Sequence, residues 1–167
     1  TNTIDAGAGD DKIDVIDGIN SVFAGAGVDS ITVGSGINTI DAGNDDDLIT
    51  LNGGNNTVYG ASGTDSITAN DGTNVIDAGT ENDTITANSG INSIDAGAGD
   101  DTINLIAGDN TVLAGSGNDT ITASGGSNTI ATDDGTNTVI LEEGHNSVTA
   151  GVDNDTITAN SGTNTID

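Results

Sequence analysis

An asparagine recurs at every eighteenth position along the chain, ten times without interruption. An Ile or Val follows each of them two residues later. A fixed period of this length is typical of a solenoid, in which every repeat is one coil stacked on its neighbours. Because no insertion or deletion breaks the period, each side chain should recur in a column along the molecule, and function should be a property of columns. The asparagines are Asn2, Asn20, Asn38, Asn56, Asn74, Asn92, Asn110, Asn128, Asn146 and Asn164.

The charge of the chain restricts its partners. The 167 residues include 27 acidic side chains against a single lysine, which gives a net charge of −26. Nucleic acid and anionic membrane surfaces are excluded as partners, because almost nothing in the chain could neutralise their phosphates. No apolar run is long enough to span a membrane, so membrane insertion is not expected. This much acid with so little base favours a cationic partner, and a metal ion is the expected one.

Each eighteen-residue unit divides into two related halves of nine residues. In each half a six-residue turn, such as that from Ala6 to Asp11, leads into a short strand with alternating apolar and polar residues, such as those around Ile13 and Ile94. The prediction is an all-β fold, a parallel β-roll (β-solenoid) of about nine coils that forms one repeat array over residues 1–167. Two sheets would enclose a thin layer of Ile, Val, Leu and Ala, in a rod roughly 45 Å long at about 4.8 Å per coil.

The turns need glycine wherever φ must be positive. One turn series has Gly in all nine coils, whereas the other is broken by Ala61 and Asp133. Two residues further along the second series, Glu81 stands where six coils have Gly. Because Glu tolerates the left-handed conformation poorly, local strain is expected at Glu81.

Eight of the nine coils carry Asp at the last position of this second turn series, and Asn137 is the exception. Stacking would bring the carboxylates about 5 Å apart, where each adjacent pair repels by roughly 1 kcal/mol in water and several-fold more near a protein surface. The column would oppose folding unless a cation bridges it. Hard oxygen ligands at this spacing suit Ca²⁺. The predicted calcium ligands are Asp11, Asp29, Asp47, Asp65, Asp83, Asp101, Asp119 and Asp155.

The run AGAGDDKID at residues 6–14 resembles the nonapeptide repeat G-G-x-G-x-D-x-U-x of RTX proteins. The match recurs at residues 96–104 and 114–122, and more loosely in the other coils. The resemblance implies a calcium-bound β-roll in which Asp side chains and backbone carbonyls of consecutive turns hold Ca²⁺. It also implies a protein secreted by bacteria that folds on meeting extracellular calcium. The chain departs from the family in having Ala at most first-glycine positions, and Asn instead of Asp in the alternate turns.

The Asn and Asp columns should therefore behave differently. Asn is neutral and both donates and accepts, so stacked Asn side chains should hydrogen-bond from coil to coil without metal. At Asn137 a calcium site would lack one charged ligand, and calcium affinity depends on ligand charge. The two intervals beside Asn137 should hold calcium least, and this coil should open first when calcium is withdrawn. Asp133 and Asp134 could instead complete a displaced site there.

The leading hypothesis for function is a non-enzymatic structural protein, a calcium-stabilised β-roll in an extracellular or cell-surface filament, surface layer or adhesin stalk. His145 and Lys12 are single residues without a nucleophile–base pair, so an enzyme is not expected. Residues 163–167 repeat residues 1–5 letter for letter. This repetition favours a segment of a longer array, or copies that associate end to end. Lateral self-association through outward apolar residues such as Phe23 is a further expectation.

The alternative hypothesis is an ice-binding (antifreeze) or glycan-binding surface formed by outward Thr residues. Outward of the Ile on the strands equivalent to the one around Ile13 lie the pairs Thr84 with Thr86, Thr120 with Thr122, Thr156 with Thr158, and Ser30 with Thr32. A flat Thr-x-Thr array of this kind resembles the ice-binding face of some antifreeze β-solenoids. Lys12, Leu48 and Ile140 interrupt the array, however, and Thr is favoured in strands for reasons unrelated to ice.

Overall fold

The computed structural model describes residues 1–167 and consists of 19 strands in two parallel sheets. It confirms the predicted all-β β-roll, and it contains no helix that is long and apolar enough to cross a membrane. The ten-stranded sheet is formed by β1 (Asn2–Ala8), β3 (Ile19–Ala26), β5 (Ile37–Asn44), β7 (Asn55–Ser62), β9 (Thr73–Thr80), β11 (Ile91–Ala98), β13 (Asp109–Leu113), β15 (Ser127–Ala131), β17 (His145–Thr149) and β19 (Thr163–Ile166). The nine-stranded sheet is formed by β2 (Lys12–Val15), β4 (Ser30–Val33), β6 (Leu48–Leu51), β8 (Ser66–Ala69), β10 (Thr84–Ala87), β12 (Thr102–Leu105), β14 (Thr120–Ala123), β16 (Thr138–Leu141) and β18 (Thr156–Ala159).

Residues eighteen apart are paired throughout both sheets. In the nine-stranded sheet, for example, Ile85 lies between Ile67 and Ile103. A shift of one residue would turn every apolar side chain of a strand to solvent, so the strict period of the sequence fixes this register. Each column predicted from the sequence is therefore a real column in the folded chain.

The core is one continuous cluster of 29 buried residues, all of them Ile, Val, Leu or Ala. They come from alternate positions of the strands in both sheets, as the sequence alternation predicts. Burying one large aliphatic side chain contributes roughly 1.5–3 kcal/mol. Since each coil supplies the same few positions, the apolar contribution to stability is spread evenly along the roll and is not concentrated in one centre.

The turn that precedes each Asp is shorter than the sequence predicts. The expected turn covered six residues from Ala6 to Asp11, but β1 continues through Ala8 and pairs Gly7 with Gly25. Parallel pairing thus persists at residues with positive φ, which leaves only three residues for the change of direction. Beyond Leu113 this extension is reduced to isolated bridges at Ser116.

Glycine is required in the turns by conformation and by stacking. All nine glycines of the series from Gly18 to Gly162 have positive φ, as predicted. A Cβ on Gly97 would lie 2.1 Å from the carbonyl oxygen of Gly79, so the coils approach too closely for any side chain there. The expected strain at Glu81 is confirmed by its φ of 74°. Ala61, Asp45 and Asp133 also adopt positive φ.

Candidate calcium centre

The predicted Asp ligands form one column at the end of the turns that lead from the ten-stranded to the nine-stranded sheet. The side chains point into the roll, because six of these residues are only 1–3% exposed. The two at the ends of the column, Asp11 and Asp155, are half-buried. The six buried members are Asp29, Asp47, Asp65, Asp83, Asp101 and Asp119. The structure therefore brings all the sequence-predicted site residues together along one edge.

One carboxylate oxygen of each buried Asp is used to join coils. The backbone N–H of Asp65 donates to Oδ1 of Asp83 at 2.7 Å, and that of Asp83 donates to Oδ1 of Asp101 at 2.7 Å. The same bond recurs along the column at 2.7–2.9 Å. These bonds fix each carboxylate over the turn before it and determine where its second oxygen points.

The second oxygen, Oδ2, is buried in all eight Asp residues and has no hydrogen-bond partner. Leaving one buried polar group unpaired costs about 1–3 kcal/mol, and more when the group is charged. Eight such atoms in one column would be a large penalty for the chain alone. A divalent cation between coils would pair them, so the residues present fit Ca²⁺.

Burial raises the pKa of Asp47 and of Asp83 to about 7, and that of Asp101 to about 6. Loss of hydration is the largest cause in each case; neighbouring carboxylates add to it, and the backbone hydrogen bond from the preceding coil opposes it. The pKa values of Asp65 and Asp119 are raised for the same main reason. At these five positions burial therefore favours a proton or a cation beside the carboxylate.

Main-chain carbonyls would have to complete the coordination of Ca²⁺. No group of three or more acidic or His side chains gathers at one point, whereas Ca²⁺ takes six or more oxygens. Carbonyl oxygens do lie beside the carboxylates. A Cβ added to Gly60 would lie 2.5 Å from Oδ2 of Asp65 and 2.3 Å from the carbonyl oxygen of Ala78, so both oxygens border the same small space.

Asn137 occupies the Asp position in its coil with a different set of bonds. Its Oδ1 accepts the N–H of Asp119 at 2.8 Å, as a carboxylate would. Its Nδ2 donates to the carbonyl oxygen of Gly135 at 3.2 Å and, at a longer 3.5 Å, to that of Thr132. Asn137 is fully buried, yet neither of its polar atoms is unpaired.

The Asn column on the opposite edge is a hydrogen-bonded ladder, as predicted. Nδ2 of each Asn donates to Oδ1 of the next, from Asn2 to Asn164, at 2.7–2.8 Å. The same Nδ2 also donates to the carbonyl oxygen three residues earlier, as Asn74 does to Asp71 at 3.3 Å. The donors and acceptors of the ladder pair with one another, so no metal is needed to stabilise this edge.

Sequence reasoning missed two outward columns. On the turns, side-chain oxygens such as those of Asp46 and Asn82 accept a backbone N–H from the following coil at 2.8 Å. On the ten-stranded sheet, the column that begins at Thr3 has ten members. Nine of them are Ser or Thr, and Val75 is the exception. A count at every position of the eighteen-residue period would have found both columns.

The comparisons with known proteins agree with this geometry. A family model described as the RTX calcium-binding nonapeptide repeat matches the chain from end to end, over residues 1–22, 16–49, 23–58, 32–67, 50–85, 77–105, 106–139 and 140–167. The chain belongs to the RTX calcium-binding repeat family. Calcium is therefore the cofactor of this RTX chain, and the Asp column with its unpaired oxygens is the candidate site for it.

A solved structure supports the same fold. The chain is similar to a hyperactive, Ca²⁺-dependent, β-helical antifreeze protein from an Antarctic bacterium, with 26% identity and a TM-score of 0.84. The match covers 98% of this RTX chain and 57% of the solved one, so the chain spans little more than half of that protein. A comparison with curated protein sequences finds no significant match.

Proposed function

We propose that this RTX chain is a non-enzymatic, extracellular structural β-roll whose coils are joined by Ca²⁺ along the Asp column. The observation that carries the proposal is the row of eight buried, unpaired Oδ2 atoms. A carboxylate can only accept hydrogen bonds, so no rearrangement within the column could pair these atoms. The proposed ligands are Asp11, Asp29, Asp47, Asp65, Asp83, Asp101, Asp119 and Asp155.

Six adjacent coil pairs have Asp on both sides, from Asp11 with Asp29 to Asp101 with Asp119. At about 4.8 Å between coils and an effective dielectric constant near 20, two such carboxylates repel by about 3 kcal/mol. When bound, Ca²⁺ supplies the positive charge that turns this repulsion into attraction. One ion in each of six intervals would change the net charge from −26 to −14, since each carries two positive charges. In the folded roll the Oδ1 bonds between coils hold each carboxylate in place and leave its Oδ2 free for the ion.

A structural role is supported by how the side chains are used. The inward positions pack in the core, the Asn edge is self-paired, and the turns are bonded from coil to coil. What the roll offers to partners is its regular outer surface. Phe23 and Tyr59, both 44% exposed, lie in one outward column with Leu113 and suit lateral contacts between copies. We infer a part of a filament, a surface layer or an adhesin stalk.

Circular dichroism during a calcium titration tests the proposal. We expect the full β-structure to form at roughly millimolar calcium, the range of extracellular calcium modules, and most of it to be lost when EDTA is added. Asp83→Ala should reduce the calcium stoichiometry measured by calorimetry. Asp77→Ala removes the same charge from an exposed position and should leave the stoichiometry unchanged. Full β-structure in EDTA at low ionic strength, or equal stoichiometry in both variants, would contradict the proposal.

Ice binding is a second candidate, favoured by one specific observation. On the outer face of the nine-stranded sheet five Thr residues lie in register in consecutive coils: Thr84, Thr102, Thr120, Thr138 and Thr156. The similar solved structure is an antifreeze protein, which makes ice the first ligand to test, before a glycan.

Thermal hysteresis measured with and without Ca²⁺ tests the ice-binding candidate. If the Thr face binds ice, Thr86→Tyr at its centre should abolish the activity. Thr57→Tyr on the opposite sheet is the matched control and should retain it. The absence of thermal hysteresis in calcium-loaded protein would remove the candidate and leave the structural role unaffected.

A further inference from the structure

We propose that the side-chain amide of Asn137 takes the place of calcium in its coil. Its hydrogen bonds hold this coil together without metal. The inference rests on the proposed function, because it assigns Ca²⁺ to the eight Asp positions. It concerns the one coil in which the column changes from acid to amide. The sequence predicted little calcium there, and it also predicted that this coil would open first. The hydrogen bonds support the first expectation and argue against the second.

The amide has a hydrogen-bonded partner for each of its two polar atoms, Oδ1 and Nδ2. Oδ1 of Asn137 keeps the bond from the preceding coil, at 2.8 Å from the N–H of Asp119. Where a carboxylate leaves Oδ2 unpaired, Asn137 presents Nδ2, whose hydrogens reach the carbonyl oxygen of Gly135 and, at longer range, that of Thr132. The amide nitrogen thus presents a positively polarised group to two carbonyl oxygens of its own coil, where a carboxylate would present a negative oxygen.

The same coil carries a second substitution of this kind. Thr132 stands where seven coils have Ala (Ala6, Ala24, Ala42, Ala78, Ala96, Ala114 and Ala150), and it is fully buried. Its hydroxyl is not left unpaired, because Oγ1 accepts the N–H of Gly151 from the next coil at 3.2 Å. Two buried polar side chains therefore bond this coil to its neighbours on both sides. Neither bond depends on an ion.

The amide also identifies the carbonyls that a calcium ion would use elsewhere. Gly135 and Thr132 lie two and five residues before Asn137. In the coil of Asp83 the equivalent residues are Glu81 and Ala78. The space beside Gly60 adds a carbonyl from the neighbouring coil, because the carbonyl oxygen of Ala78 borders it together with the unpaired Oδ2 of Asp65 in the preceding coil.

Hydrogen exchange of the calcium-stripped chain tests the inference directly. We expect the amides of β16, which follows Asn137, to exchange about tenfold more slowly than those of β10, which follows Asp83, a factor that corresponds to one retained buried hydrogen bond. In Asn137→Asp this advantage should be lost, and calorimetry should show at least one additional calcium ion per chain.

Asn160→Asp is the matched control. It adds the same charge at an exposed position whose only hydrogen bond is from its backbone N–H to Leu141. It should change neither the exchange rates nor the calcium stoichiometry. The reciprocal variant Asp83→Asn should bind at least one calcium ion fewer, because Asp83 borders two intervals, and should gain protection of β10 in EDTA.

The two proposals fail in different ways. If the wild-type chain binds no calcium at all, the proposed function fails. If the wild-type chain binds calcium but Asn137→Asp changes neither stoichiometry nor exchange of β16, only the substitute role of Asn137 is overturned. Equal exchange of β16 and β10 in the stripped wild-type chain would overturn it as well.

Discussion

The Asn ladder should respond to the loss of a single member, and Asn74→Ala is the sharpest test. Asn74 is 1% exposed and lies in the middle of the ladder. Its removal takes away the acceptor of Asn56 Nδ2 and the donor to Asn92 Oδ1, both at 2.8 Å. It also removes the donor to the carbonyl oxygen of Asp71.

The expected cost follows from these orphaned groups. Asn56 and Asn92 are 3% and 1% exposed, so water cannot replace the lost partners without entering the roll. At about 1–3 kcal/mol for each buried group left unpaired, a dry gap destabilises the chain by about 2–5 kcal/mol. A single water in the vacated volume would restore part of this and bring the loss toward 1 kcal/mol.

Asn70→Ala provides a matched control. Asn70 also makes two side-chain bonds between coils, to Asn52 at 2.9 Å and from Asn88 at 2.8 Å, but Asn52 is exposed and Asn70 and Asn88 are only half-buried, so water can reach these groups. Its loss should cost below about 0.5 kcal/mol, because water satisfies the freed atoms. Urea unfolding at saturating calcium measures both values, and calcium stoichiometry should remain unchanged in both. Equal losses in the two variants would refute the reasoning that the buried ladder stabilises this edge.

Two further predictions concern the Asp edge. Because burial raises the pKa of Asp47 and Asp83 to about 7, the calcium-free fold binds protons more tightly than the unfolded chain does. Its stability should therefore be greatest below about pH 4 and decline as the pH rises through 7, so circular dichroism of stripped protein should show more β-structure at pH 5 than at pH 8. The opposite trend would contradict the assignment. Gly60→Ala introduces the residue found at Ala42 and Ala78, yet its Cβ would lie 2.5 Å from Oδ2 of Asp65. It should lower stability by about 1–3 kcal/mol in urea unfolding and weaken calcium binding, and unchanged stability and calcium binding would contradict the prediction.

The fold could be predicted almost completely from the sequence, because one period determines all the pairings. Once Asn56 and Asn74 are known to stack, every other column follows by counting. The length of the turns could not be predicted in this way. A glycine with positive φ reads as a turn residue, but Gly7 pairs with Gly25 inside a strand. In this roll the parallel pairing continues through residues with positive φ. The conformational preference of a single residue such as glycine does not predict that pairing.

The candidate site was predicted in its residues but not in its bonding. Counting at period eighteen finds Asp83 and its equivalents, and the charge of the column indicates a cation. The sequence does not show that Oδ1 is already occupied by a backbone N–H from the preceding coil while Oδ2 is free. Nor does it show where the side-chain nitrogen of Asn137 points, and our proposal that this coil resists opening rests on that direction.

The two edges of the roll differ because an amide donates as well as accepts, whereas a carboxylate only accepts. A column of Asn can therefore pair with itself, as Asn56 and Asn74 do. A column of Asp can use only the backbone N–H groups of neighbouring coils, which satisfy one oxygen of each carboxylate and leave the other free. Calcium dependence should follow this chemical difference and not the fold, which is the same on both edges. Asn137 places an amide, which both donates and accepts hydrogen bonds, on the edge that otherwise needs an ion. The calcium-free state should therefore retain structure around this coil and lose it first between Asp29 and Asp101.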